Sequence, residues 1–441
     1  MSVPAVIFTL LAGFFLFRLP RQWASLPLLI GASYMTLGQN IEMGPFHFTV
    51  IRILVAVGVV RVIAKRERIK GGWKNLDRMM IVWGCWAVCS SCFHKDFSAA
   101  LIFRLGLAYD SLGLYFLLRV FIQDADNILV LCRIVIIALV PVAIEMISET
   151  VTGRDTFSFF GGVPEASEIR AGKVRAQGPF AHSILAGTVG AVCLPMALLF
   201  WRKKRKLALI GLIATGSMVM TSRSSGPIMT CFFALLALAV WKFRHRMRLI
   251  RWGAVFAIIA LSIVMNAPVY YLLARIDLTG SSTSYYRAAL INSAISHLNE
   301  WWLGGTDYTR HWMPTGAAWS PDQADITNHY IKMGVVGGLP LMLLFVGILV
   351  VGFASVGKAL WSNKNAPVEQ RFLIWTLGSI LFAHVATMVS VSYFDQSVVF
   401  LYLVLAAIGS IHTTTLVMAP AKAQEVQLGH KIEAETSPGY G

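Results

Sequence analysis

The chain has 441 residues, 56% hydrophobic and 14% charged, with a formal net charge of +16 and a mean hydropathy of +0.66. Soluble domains carry roughly 25% charged residues, so the composition excludes a soluble globular protein. The positive charge does not call for nucleic acid, because Lys and Arg accumulate in the cytoplasmic connectors of membrane proteins.

Apolar runs recur at 3–17, 23–38, 49–64, 79–93, 99–121, 127–147, 179–201, 207–221, 226–242, 252–273, 328–354, 372–390 and 396–412. A helix needs ~20 residues to cross ~30 Å of hydrocarbon. The pattern therefore predicts an all-α polytopic membrane protein with 12 or 13 transmembrane helices, the first run being short enough to fail to cross. No basic residues precede Val3–Phe17, so a removable signal peptide is not expected. The six cysteines all lie in apolar runs, which predicts packing residues and no disulfide framework. Cys85-x3-Cys89-x2-Cys92 has a metal-like spacing but no His or second Cys pair to complete it, so no metal is expected.

The basic connectors set the orientation. Arg61 to Arg78, Arg202 to Lys206 and Lys242 to Arg248 are dense in Lys and Arg. Placing them inside also puts 18–22, 119–126, 355–371 and the tail inside, leaving 94–98, 148–178, 222–225 and 274–326 outside. The N-terminus is then inside only if the first run fails to cross. The outer segment 274–327 is the longest polar interruption. Tyr286, Leu290, Ala294, Leu298 and Trp301 recur in it at helical spacing, with Ser282, Thr283 or Ser284 as cap and Gly304-Gly305 as stop. Tryptophans 301, 302, 312 and 319 suit an interface, so this long outer loop should contain an amphipathic helix lying on the outer surface. Residues 1–170 form an N-terminal scaffold, 171–412 the region around the loop, and 413–441 a polar tail expected to be disordered.

Several cations fall at outer helix starts. Arg223 precedes Gly226, a cap candidate, and Pro227, which can open the next helix. Arg287 falls in the first turn of the amphipathic helix, and His329 follows a cap candidate at Thr327. Arg175 precedes Gly178-Pro179, with His182 one turn into the following helix. Helix N-termini beside arginine bind anions, and arginine pairs bidentately with phosphate. Two or three such places on one face suggest a diphosphate, as in a lipid pyrophosphate. A neutral imidazole is favoured near a helix N-terminus, which suits His329 as a general base. Arg52 and Arg104 start near outer ends and could also reach phosphate, whereas Asp110 sits near mid-membrane as partner to an arginine not identifiable from sequence. Asp124-Ala-Asp126 reads as a helix cap rather than a metal motif.

Four pieces resemble the O-antigen ligase and polymerase family of bacterial envelope polysaccharide assembly. They are Arg175-Ala-Gln-Gly-Pro-Phe-Ala-His182, Thr221-Ser-Arg-Ser224, Tyr286-Arg-Ala-Ala289 leading to Trp302-Leu-Gly-Gly305, and Asn328-His-Tyr330 with Gly334-Val-Val-Gly-Gly338. They cover about residues 170 to 340. The chain departs from the family in its Asn328-His329 order, where His-Asn is usual, and in Gly-Gly-Thr where Gly-x-Gly is usual. The resemblance implies an inner-membrane enzyme, multi-pass, with its site facing the periplasm or cell exterior. It implies metal-independent, inverting transfer of an undecaprenyl-pyrophosphate-linked glycan onto a glycan or lipid A core hydroxyl, with no cofactor and with polysaccharide assembly proteins as partners. Arg223 and Arg287 would then bind the diphosphate, His329 would activate or orient the acceptor, and Arg175, His182, Arg52 and Arg104 would contact substrate. Two other classes fit the same cations: a transporter or flippase of lipid-linked glycan, and a non-catalytic subunit of an assembly complex.

Overall fold

The computed structural model describes residues 1–275 and 283–411. The Ser282 cap and the tail from 413 lie outside the described residues. The described residues are 72% helical, so the all-α expectation holds at that level. In order the elements are α1 (Val3–Arg18), α2 (Leu26–Tyr34), the hairpin β1 (Asn40–Met43) and β2 (Phe46–Thr49), α3 (Val50–Ala64), α4 (Asn75–Cys89), α5 (Phe97–Phe121) and α6 (Ala125–Thr152). A second hairpin, β3 (Glu168–Arg170) and β4 (Lys173–Arg175), precedes α7 (Ser183–Leu198), α8 (Arg205–Thr221), α9 (Ser225–Ala239) and α10 (Met247–Val264). The long connector holds α11 (Leu272–Arg275), α12 (Thr283–Ser296), α13 (Leu298–Trp301) and the hairpin β5 (Ala318–Ser320) and β6 (Gln323–Ala324). Then follow α14 (His329–Ser362), α15 (Val368–Met388) and α16 (Val398–Ser410).

Among the described residues five helical segments are long and apolar enough to cross a membrane: α5, α6, α9 with α10, α14 and α15. Hydrogen bonds between connectors sort the helix ends onto two faces. On the basic face, Arg61 Nη1 reaches Leu19 O (2.8 Å), Arg21 Nε reaches Val120 O (3.0 Å) and Lys74 Nζ reaches Gly409 O (2.8 Å). On the loop face, Ala176 N binds Thr221 O, Ala181 N binds Asp395 and Gln396 Nε2 binds Pro179 O. α1 connects both, since Met1 N reaches Asn40 O (3.0 Å) while its other end meets Arg61. The first run thus bonds to connectors at both of its ends, although at 16 residues it is one of the shorter apolar helices.

Several charges inside or beside the apolar runs are paired, which offsets the cost of burying them. Arg119 and Asp77, both fully buried, form an ion pair at 3.3 Å, and Tyr115 donates to the same carboxylate at 2.7 Å. Asp110 takes Arg52 as its partner, with Nε at 2.9 Å and Nη2 at 2.7 Å. Asp124 Oδ1 accepts from Asn127 N at 2.9 Å, the expected cap. α10 is different. It buries none of its residues, although after Arg248 and Arg251 it is apolar on every side, the pattern of a helix facing lipid.

The segment after α6 is held by acids. Glu149 accepts from Gln177 N and Gly178 N (3.0 and 2.9 Å) and from Ser167 Oγ (2.9 Å). Glu145 accepts from Thr156 N (2.9 Å). Asp155, beyond the end of α6, is pushed up to about 8 by burial and then by the Glu145 and Glu149 charges. The folded state therefore keeps a proton that the unfolded chain releases above the ordinary 3.8. Stability from this carboxyl is full below that value and lost as pH rises through about 8. The unfolding temperature of the wild type should fall over this interval more steeply than that of Asp155→Asn. Parallel profiles would refute the assignment.

Candidate functional site

The long loop is fastened to α14 by two glycine pairs. α14 loses helical geometry at Gly337 and Gly338 (φ 76°, ψ −179°). The carbonyl of Leu303 lies 2.1 Å from where a Cβ on Gly338 would stand. Reciprocally, Val335 O lies 2.2 Å from the Cβ position of Gly305, whose φ is +91°. This approach lets Thr306 N bond Val335 O (2.9 Å) and Leu339 N bond Trp302 O (2.8 Å). α12 and α13 bury Leu290, Ala294 and Trp301 with Trp312 and Ile331 in a small core of their own. The amphipathic helix expected over 284–301 is thus two helices, breaking at His297, and it packs onto the loop and α14.

Arg287 lies in the second turn of α12 rather than the first, since the helix begins at Thr283. It lines a cavity of ≈ 210 Å³ with Ser225, Gly226, Met229, Thr230, Phe233, Leu273 and, from the end of α15, Ala386, Thr387, Val389 and Ser390. Ser225 and Gly226 open α9. The cap is Ser224, not Gly226, and its side chain makes no capping bond. Its hydroxyl instead donates to Ser222 O (2.9 Å) and accepts from Arg175 Nη2 (2.7 Å). Ser224 therefore supplies no side-chain cap to α9, whose positive end faces the cavity. Arg223 is exposed in the adjoining turn with φ +47°.

Arg175 is committed to this turn and to Glu168, with both carboxylate oxygens at 2.9 Å from Nη1. His182 caps α7 instead of lying one turn inside it, because its Nδ1 accepts from Ile184 N (3.0 Å). Burial, then the Arg175 charge, lowers the pKa of this imidazole.

His329 is buried (5% exposed) at the first turn of α14. The cap is Asn328, not Thr327, because its Oδ1 reaches two amides, Tyr330 N (2.9 Å) and Ile331 N (3.1 Å). His329 Nδ1 accepts from Tyr393 N (3.2 Å). Nδ1 is therefore the lone-pair nitrogen, and the neutral ring carries its hydrogen on Nε2. Around it stand Tyr393 and Phe345, with Lys332 one turn on. Lys332 experiences the charges of Asp325 and Asp395. Asp325 in turn is raised by burial and pulled back by Lys332 and Arg287. Asp325 thus feels the charges of both Arg287 and Lys332.

Arg52 and Arg104 do not join this group. Arg52 is held by Asp110 and His47 O (2.7 Å). Arg104 spans Ser90 Oγ and Val336 O (both 3.1 Å), bracing the break in α14. Beside it, His94 binds Asp307 and Gly304 O. Sequence reasoning missed Lys332, Asp325, Asp395, Tyr393 and His94. Lys332 carried a usable signal, being a cation inside an apolar run one turn after His329. No protein-family model matches the chain, and no curated protein matches it either.

Proposed function

We propose that the protein is a membrane glycosyltransferase taking a lipid-diphosphate-linked glycan as donor and a sugar hydroxyl as acceptor, at the loop face. The observation that carries this reading is the Arg287 cavity. One side offers a cation, hydroxyls and the start of α9; the other offers Met229, Phe233 and Leu273. That division suits an amphiphile with an anionic head and an apolar chain. At ≈ 210 Å³ the cavity is smaller than the ~300–1,000 Å³ of a drug-sized pocket. It therefore takes a head group and the start of a chain, and the glycan extends toward the loop face.

In the transfer the bond between sugar C1 and the phosphate oxygen breaks, and its electron pair leaves with the diphosphate. The acceptor oxygen forms the new bond to C1, and its proton passes to water at the loop face. Negative charge grows on the leaving group, where Arg287 and Arg223 stabilise it in the transition state. His329, with hydrogen on Nε2, orients the acceptor as a donor rather than removing its proton. The arginines supply the positive charge, so transfer should persist in EDTA.

The test reconstitutes the full chain in vesicles with an undecaprenyl-pyrophosphate glycan, EDTA, and either lipid A core or a second lipid-linked repeat as acceptor. A new glycosidic bond is expected with one of them. Donor movement between leaflets without such a bond would identify a transporter and overturn the enzyme reading.

A further inference from the structure

We infer that His297, Glu300 and His311 form a site for one divalent transition-metal ion, best suited to Zn²⁺, that fastens the long loop. Their ligand atoms all lie within 4.8 Å of one another. The inference does not rest on the transfer reading, since none of the three residues lines the Arg287 cavity. His297 follows Arg287 by ten residues, about 15 Å along a helix at 1.5 Å per residue.

The local fold arranges the donors. His297 stands where α12 gives way to α13, and Glu300 lies three residues on, so an i, i+3 spacing brings both to one side. His311 comes from a separate short turn, Arg310–Trp312. His297 Nδ1 faces Ser293 O at 2.8 Å. A carbonyl only accepts, so Nδ1 carries the hydrogen and Nε2 presents its lone pair. This is the tautomer-fixing outer contact that metal-ligating histidines make. Glu300 has an outer contact of the same kind, because Trp312 Nε1 donates to its Oε2 at 3.0 Å. His311 Nε2 lies 2.9 Å from that same oxygen, where an ion would take the place of the shared hydrogen.

The rings are held in place. His311 stacks on Tyr308 at 4.9 Å and His297 stacks on Trp312 at 5.9 Å. An ordinary surface ion pair between Glu300 and His311 would give His297 no part. Two imidazoles and one carboxylate favour zinc or its neighbours over Ca²⁺ and Mg²⁺, which prefer oxygen. The three residues are partly exposed, so an ion can enter and keep water in its remaining positions. Bound there, it would tie the 310–312 turn to α13, immediately before Gly304 and Gly305. Because Glu300, His311 and Trp312 already contact each other, the loop also holds without the ion. Chelation should therefore lower stability without removing transfer.

The test uses the full-length protein in detergent, carrying a tag without histidine and stripped with EDTA. Calorimetric titration with Zn²⁺ should give saturable binding of one ion per chain and a raised unfolding temperature. His297→Ala should weaken binding by more than 100-fold. Trp312→Phe keeps all three ligands and should weaken it by roughly 10–100-fold through lost orientation. Co²⁺ added to the wild type should give d–d absorption without a thiolate charge-transfer band, a readout that needs no variant to fold. No saturable Zn²⁺ binding, unchanged affinity in both His297→Ala and His311→Ala, or a Co²⁺–thiolate band placing the ion on cysteines would each overturn the proposal.

Discussion

Arg287→Ala should lower transfer from a lipid-diphosphate donor by about 10²–10³-fold, the usual effect of removing one fixed donor aimed at developing negative charge. The loss should appear mainly in the turnover rate, because the leaving group carries more negative charge in the transition state than in the bound donor. Arg287→Lys should recover only part of it, since an ammonium lacks the planar two-pronged contact to phosphate oxygens. Arg223→Ala should have the smaller effect, because Arg223 is exposed and its charge is screened by solvent. The measurement is product formation in reconstituted vesicles at saturating donor, with unfolding temperature as the check on folding. Wild-type turnover in a folded Arg287→Ala protein would remove Arg287 from the reaction and leave the cavity without its chemical rationale.

Gly338→Ala is expected to be among the most destabilising single substitutions in the chain. Two effects add. At φ 76° and ψ −179° a side chain strains the backbone, which costs about 1–3 kcal/mol. The new Cβ would also stand 2.1 Å from Leu303 O, and relieving such overpacking costs about 1–3 kcal/mol more. Backbone on both sides leaves no flexible side chain to give way. Gly357→Ala is the control within α14: nothing lies within 4 Å of its Cβ position. There alanine should stabilise by roughly 0.5–1 kcal/mol through helix propensity. Thermal unfolding in one detergent compares the two. Equal unfolding temperatures would mean that the loop does not need its seat on α14.

Much of the helical framework could be read from the sequence, because apolar runs of membrane length leave the backbone few alternatives. The arginines and histidines at helix starts were also legible as a class. Their partners were not. Nothing local told that Asp110 would meet Arg52, or that Arg104 would turn to the Val336 carbonyl, because each partner comes from a distant segment. Helix starts shifted where a side chain other than the expected one took the cap. Asn328 wins over Thr327 by reaching two amides at once, and His182 closes α7 by accepting from Ile184. The hairpins were missed because strands of two to four residues carry too little periodicity to register. Most consequential was the turn at 389–397, whose single acid hid its contacts with both α7 and α14.

α10 gives the long loop an unusual mooring. At 18 residues it measures about 27 Å, slightly short of ~30 Å of hydrocarbon. Because none of its residues is buried, packing does little to fix its tilt, which responds to the local bilayer thickness. Its end leads to Tyr270, which bonds Asn292 of α12 at 3.0 Å, and to Leu273, which shares a cavity wall with Arg287. Thinning or thickening the membrane therefore pulls on one wall of that cavity, while α14 holds the opposite end of the loop at its glycine seat. Vesicles of different acyl-chain length are therefore expected to change the behaviour of that wall.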